Sequence, residues 1–266
     1  MGYLFDPVNW EWIFAGRNFM FLVERFLNNI VLALITMALS LALGLVVALL
    51  RISKNRAAAT VTGIWIDIWR NLPVLLILLY FGLALPQEVK ELWVDSAPGF
   101  LPPQIRNSGQ VIASIIALTL YNSSVIAEIF RAGIQSLERG QGEAAAALGL
   151  TYWKAMRIVI LPQGLRRMVP ATVSQLITLT KDTSLVSILA IQELVSAGSI
   201  VNNTSGSPFG GTGVPAPILQ VFIVVGAMFV VFNLALSLLS RRLEVRERKR
   251  VGEVETVTGL EDQITV

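Results

Sequence analysis

Charge-free apolar stretches alternate along the chain with short basic stretches and with stretches rich in Gly and Pro. Residues 26–50 contain no Asp, Glu, Lys or Arg, and neither do residues 194–240, whose apolar part runs over about 216–239. Three less pure apolar stretches lie between them, at 58–85, 111–130 and 168–191. Their charges are confined to Asp67 and Arg70, to Glu128, and to Lys181 and Asp182. A helix needs about 20 mostly apolar residues to cross the hydrocarbon layer. The pattern therefore predicts an all-α integral membrane protein with about five transmembrane helices. Residues 1–25 are aromatic and only moderately apolar, and Trp10, Trp12, Phe14, Phe19 and Phe21 suit an interfacial helix. This segment lacks the basic start and clean apolar core of a signal peptide. The chain divides into this interfacial segment, a transmembrane domain over 26–243 with a polar loop at 136–165, and a polar tail over 244–266.

Composition agrees with a membrane setting. Hydrophobic residues make up 54% and charged residues 15%, against about a quarter charged in a soluble domain; the mean hydropathy is +0.66. There is no His and no Cys, which excludes zinc sites, disulfides and a histidine base. No catalytic or metal-ligating set is expected. A pI near 9.4 raises the question of nucleic acid, but the basic residues flank apolar spans, so membrane topology accounts for them and no nucleic-acid partner is expected. One side of the membrane would hold Arg51, Lys54 and Arg56, then Arg139, Lys154, Arg157, Arg166 and Arg167, then Arg241, Arg242, Arg246, Arg248, Lys249 and Arg250. The other would hold Arg17, Arg25, Lys90 and Arg106. Cytoplasmic loops are the positive ones. The N-terminus is thus expected outside, the C-terminus and the loop around Glu143 inside, and the Pro- and Gly-rich stretches 86–109 and 196–217 outside.

The loop has its own pattern. Leu137, Gln141, Ala144 and Leu148 recur at three- and four-residue steps. Ala144, Ala145, Ala146 and Ala147 favour a helix of thin profile. Gly149 suits the left-handed position that ends a helix. Thr151 is placed to cap a second helix, carrying Lys154 and Arg157 and stopping near Pro162. On periodicity alone, an amphipathic loop lying on the membrane accounts for this.

The order Glu143-Ala144-Ala145, Gly149, Val159 and Leu161-Pro162 adds more. Glu-Ala-Ala, three residues, Gly, nine residues, a branched apolar residue, any residue and Leu-Pro resembles the signature loop of ATP-binding-cassette importer permeases; Val159 stands where Ile is usual. Tyr121-Asn122-Ser123, Glu128, Arg131-Ala132-Gly133 and Gly140-Gln141 precede it, Arg70 and Pro73 lie earlier, and Lys181-Asp182-Thr183-Ser184-Leu185 follows. With these, residues 28–245 or so resemble the polar amino-acid permease branch. The resemblance implies a type I importer permease-like fold in the bacterial cytoplasmic membrane, among membrane lipid, moving a polar amino acid inward. It implies a second permease subunit, identical or different, a cytoplasmic ATP-binding-cassette ATPase and an extracytoplasmic amino-acid-binding protein. ATP and Mg belong to the ATPase, since this chain has no Walker loop and binds no cofactor. Glu143, Ala144, Ala145, Gly149, Leu161 and Pro162 become the ATPase-coupling residues, with the space over Ala144 and Ala145 filled by the ATPase. As a plain structural matter, Glu143 also suits the positive end of a helix dipole.

Charges within spans are costly and face cavities or one another. Asp67 and Arg70, like Glu128 and Arg131, are three residues apart and can share a helical face. Lys181 and Asp182 are adjacent and mark a break in their helix. Asp67, Arg70, Asn122, Ser123, Glu128, Lys181 and Asp182 are the candidate substrate pathway. Pairing between helices is the competing role, favoured for Glu128 and Arg131, and Asn122, Ser123 and Ser124 are equally able to hydrogen-bond across helices. Two other functions fit part of the pattern: an ion-gradient-driven transporter, which usually carries inverted repeats not visible here, and a non-transporting membrane anchor for a cytoplasmic enzyme.

Overall fold

The computed structural model describes residues 2–137, 139–203 and 216–251, and no strand occurs among them. A short turn α1 (Gly2–Phe5) and a 3-10 helix (Pro7–Ile13) lead into the long helix α2 (Asn18–Arg51). Next come α3 (Arg56–Asn71), α4 (Val74–Ala84), α5 (Gln87–Ser96), α6 (Pro103–Arg106) and α7 (Gln110–Gln135). The loop carries α8 (Arg139–Ala147) and α9 (Tyr152–Ala155), and a π turn (Met156–Ile160) joins it to α10 (Leu161–Asp182). A 3-10 helix (Thr183–Leu189), α11 (Leu194–Asn203) and α12 (Ile218–Val251) complete the chain.

By length and apolarity α2, α7 and α12 each suffice to cross a membrane, and two bent pairs bring the spans to as many as five. The stretch expected as one span at 58–85 is bent by 97° between α3 and α4. Pro73 has no N–H to donate and pushes Leu72 out of the helical region, to ψ 134°. The second pair is bent by 50° between Leu189 and Leu194.

Three expectations about boundaries change. Residues 18–25, assigned to the interfacial segment, are the first turns of α2; no breaker separates them from Phe26, and Phe21 and Leu22 are buried. The stretch 86–109 is not simple loop: Pro86 caps α5, and Pro103 opens α6, where a missing N–H costs nothing. Residues 196–203, expected as outer loop, continue α11 because Leu194, Ala197 and Val201 form a buried face. The rest of that outer loop, 204–215, and the tail beyond 251 lie outside the described residues.

The main core gathers α2 from Leu32 inward with α3, α4, α7 and α10, and α2 packs most extensively on α7. A satellite core joins Trp12, Phe21, Leu22 and Phe26 to Leu194, Ala197, Val201, Val221 and Val225. Between the two cores, on α2, lie the buried polar residues Asn28 and Asn29.

Candidate coupling loop and translocation face

Helix α8 closes with paired backbone bonds. The Gly149 N–H donates to Ala146 O (2.9 Å) and the Leu150 N–H to Ala145 O (3.1 Å), the Schellman arrangement that satisfies the last carbonyls of a helix. It needs a residue in the left-handed region, and Gly149 has φ +77°. Thr151 is extended and occupies the cap position of α9, although its side chain makes no capping bond.

The second helix does not stop near Pro162. The chain stays helical from Tyr152 to Asp182 by widening into the π turn, where the Leu161 N–H reaches Met156 O. Pro162 then falls in the first turn of α10, a position proline tolerates. The widened turn absorbs the lost donor.

Glu143, Ala144, Gly149 and Pro162 are exposed, and Leu161 is half-buried. Ala145 is only 2% exposed, so it faces its own chain and is not free to meet a partner as expected. Leu148 (81%) and Trp153 (64%) supply the outward apolar surface instead. Leu137 precedes α8 rather than sharing its face; with Gln141, Tyr152 and Met156 it lines a cleft of about 290 Å³ against Ile52 and Ile134. The loop is braced on the bundle by Gln163 Nε2 to Gln141 Oε1 (3.3 Å), by Arg167 Nη1 to Ser136 O (2.8 Å) and by Lys54 Nζ, 5.2 Å from the Tyr152 ring centre. Beneath it α7 and α10 approach closely: a Cβ on Gly133 would sit 2.2 Å from Met168 Cγ.

The polar span residues fall into two groups. Asn122, Ser123 and Ser124 are fully buried. Asn122 Oδ1 accepts from Gln175 Nε2 of α10 (2.7 Å), and the two serines donate to Leu120 O and Tyr121 O. Glu128 and Arg131 pair at 2.7 Å, with Arg131 Nε donating to both carboxylate oxygens. These groups satisfy one another. Asp67 and Arg70 on α3 and Lys181 on α10 are exposed, and Asp182 is half-buried. Arg131–Glu128 and Arg17–Glu24 form ion pairs, whereas Asp67 and Arg70 do not pair with each other. Arg70 of α3 and Asp182 of α10 both act electrostatically on Tyr121 of α7. Lys181 also borders a pocket of about 300 Å³ with Phe229, Val230, Asn233 and Leu234 of α12. An exposed charge on a span demands water or a protein partner. Elsewhere α12 exposes Ile218, Leu219, Val231 and Leu238, a surface suited to lipid. No group of three or more metal-ligating acids occurs among the described residues.

Sequence reasoning gave no role to the residues that organise the fourth span, Asn28, Asn29, Thr183 and Glu193. The adjacent asparagines inside an apolar run were a usable signal, as was Glu193 three residues before Ser196, a capping spacing.

Fold and site together define a multi-pass helical membrane protein with a braced helical loop and charged residues carried on its spans. Residues 40–249 match the family described as binding-protein-dependent transport system inner membrane component, and the chain belongs to that family. It is 35% identical over 236 residues to the "Probable glutamine ABC transporter permease protein GlnP" of Bacillus subtilis (strain 168), covering 88% of this chain and 97% of that one. It is 28% identical to the "Glutamate/aspartate import permease protein GltK" of Escherichia coli O6:H1, with 89% and 97% covered. Among solved structures, that titled "Crystal structure of an amino acid ABC transporter with histidines" aligns with a TM-score of 0.67 at 27% identity, over 85% of this chain and 94% of that one.

Proposed function

We propose that this chain is the permease subunit of an ATP-driven importer of a polar amino acid, and that the loop around Glu143 to Gly149 couples it to the ATPase. One observation carries this reading: the helical run that starts at Tyr152 beneath the loop continues, through the π turn and past Pro170, to Lys181 and Asp182. A push on α8 is therefore passed along one continuous helical run to those charges, as alternating access requires. The ATPase, with its ATP and Mg, docks on Glu143, Ala144, Leu148 and Trp153. A second permease subunit covers the face bearing Asp67, Arg70 and Lys181, and a binding protein delivers the amino acid from outside. Asp67, Arg70, Lys181 and Asp182 meet the substrate's carboxylate and ammonium. Asn122, Ser123 and Glu128, already satisfied within the chain, hold the helices around it. The N-terminus lies outside and α8 in the cytoplasm of a bacterial cell, as the distribution of Lys and Arg supports.

Proteoliposomes holding the complete complex test this. Uptake requires ATP and loaded binding protein; uptake driven by an ion gradient alone points to a secondary transporter, and no uptake to an anchor. Gly149→Val strains a left-handed position by about 1–2 kcal/mol and disorders the loop's end while leaving the spans intact. It is expected to insert normally and to abolish the stimulation of ATP hydrolysis by loaded binding protein. Wild-type stimulation would remove the coupling role. In intact cells, an impermeant maleimide should label a cysteine at position 100 and spare one at 142; the reverse pattern inverts the topology.

A further inference from the structure

The connector that carries the break in the fourth span, residues 183–193, is held at both of its ends by one amide. Asn29 Nδ2 donates to Thr183 Oγ1 (3.2 Å) and to Glu193 Oε2 (3.1 Å), and its Oδ1 accepts from the Leu194 N–H (3.0 Å). Thr183 directly follows Lys181 and Asp182, while Glu193 and Leu194 open α11. Asn29 and Thr183 are fully buried and Glu193 is 1% exposed. The Glu193 carboxylate accepts from the N–H groups of Val195 (2.9 Å) and Ser196 (2.7 Å), and Ser196 Oγ accepts from the Glu193 N–H (2.9 Å), a reciprocal cap. Asn28 Nδ2 adds a bond to Gln192 O (2.9 Å).

No Pro or Gly lies between Thr183 and Glu193, so local sequence gives the helix no reason to stop there. Yet Ala190 sits at φ 58°, a left-handed position that costs a residue with a Cβ and persists only where its surroundings dictate it. Around it the connector is tied to α2 through Asn28 and Asn29 and packs on α4, where Leu189 lies against Gly82. A 3-10 helix has 3.0 residues per turn where an α-helix has 3.6. Any slip of the connector between the two forms would turn the end of α10, and Lys181 and Asp182 with it.

We propose that Asn29 and Glu193 are positioning residues for transport: they fix the connector 183–193 and thereby set the placement of Lys181 and Asp182 on the translocation face. The proposal rests on the reading of that pair as part of the substrate path. Neither residue needs to touch the substrate.

The test uses proteoliposomes of the complete complex with binding protein, offered labelled glutamine, glutamate and arginine as probes; the one that the wild type accumulates is used to measure apparent KM. Asn29→Ala should raise KM about tenfold or more with basal ATP hydrolysis unchanged. It should add nothing in a Lys181→Gln/Asp182→Asn background, because both changes disable one unit. An unchanged KM, or independent effects in that background, overturns the proposal. If Asn29→Ala fails to accumulate, Thr183→Val is measured, which keeps the side-chain shape and removes the hydroxyl that accepts from Asn29 Nδ2. A KM raised about threefold or more supports the proposal, and a folded variant with KM within about twofold of wild type overturns it. Wild-type KM in Lys181→Gln/Asp182→Asn overturns it by removing the pair from the path. A wild-type complex without any ATP-dependent uptake instead refutes the importer reading itself.

Discussion

Two spans of this protein are broken, and by opposite means. Between α3 and α4 the break is covalent: Pro73 cannot donate and forces Leu72 into an extended conformation. Between α10 and α11 no residue is a breaker, and the break is imposed by Asn28 and Asn29, more than 160 residues away. The sharper bend, 97° against 50°, belongs to the local device. The distant device ties the bend to the position of another helix, so it shifts when that helix does. A proline makes a fixed elbow, whereas a set of side-chain hydrogen bonds makes a joint whose angle depends on its neighbours.

The change that most strongly separates the two devices is Asn29→Asp. It sets a second carboxylate against that of Glu193 in a fully buried site and removes the donors for Glu193 and Thr183. A loss of roughly 3 kcal/mol or more is expected, read as a large fall in the thermal midpoint of the detergent-solubilised subunit. A midpoint equal to wild type would take Asn29 out of the joint. Next in size is Pro73→Ala. With Leu72 free to enter the helical region, α3 should extend into α4. Spin labels at positions 61 and 83, both exposed, should move apart, and uptake should fall while the midpoint shifts by only about 1 kcal/mol equivalent. An unchanged distance would mean that packing of Ile77 and Leu78, and not the proline, holds the elbow. The smallest effect is expected from Ala190→Gly, which relieves the left-handed position and should stabilise by up to about 1 kcal/mol. A destabilisation instead would show that the Ala190 methyl packs usefully enough to outweigh the strain.

The same contrast explains what could be read in the sequence. The apolar runs announce the spans because bilayer thickness fixes their length. Gly149 acts on its own backbone, and both the turn there and a helical loop before it were legible; Pro73 acts as locally, yet 58–85 reads as one span because its apolar run continues across the bend. The fourth span was legible only as a stretch over 168–191 with a break at Lys181 and Asp182, and not in what holds that break, because its partners lie at the other end of the chain. Pro162 was read as a stop by the rule that makes Pro73 one. The difference is the π turn before it, which depends on packing around Met156 and Ile160. Ala145 and Ala144 look alike in sequence; only the bracing of α8 on the bundle decides that one is buried and the other exposed. For the candidate site, the residue types were visible, but not which charges are already satisfied, as in Glu128 with Arg131, and which are left on a face, as in Arg70 and Lys181.

The π turn at Met156–Ile160 also acts as a register offset. It holds one residue more than the regular turn it replaces, and each residue of an α-helix advances the chain by about 100° of rotation and 1.5 Å of rise. Removing a single residue there would let the coil rewind as uninterrupted α-helix. Because that residue is the one the widened turn absorbs, everything beyond Leu161 would keep nearly its present phase; rewinding all five residues as regular α-helix would instead rotate Lys181 and Asp182 by about 100° relative to the loop. The winding of this stretch is therefore a phase setting: a substitution that closes the π turn into α-helix dephases the two ends of the lever, and a single deletion cancels that shift.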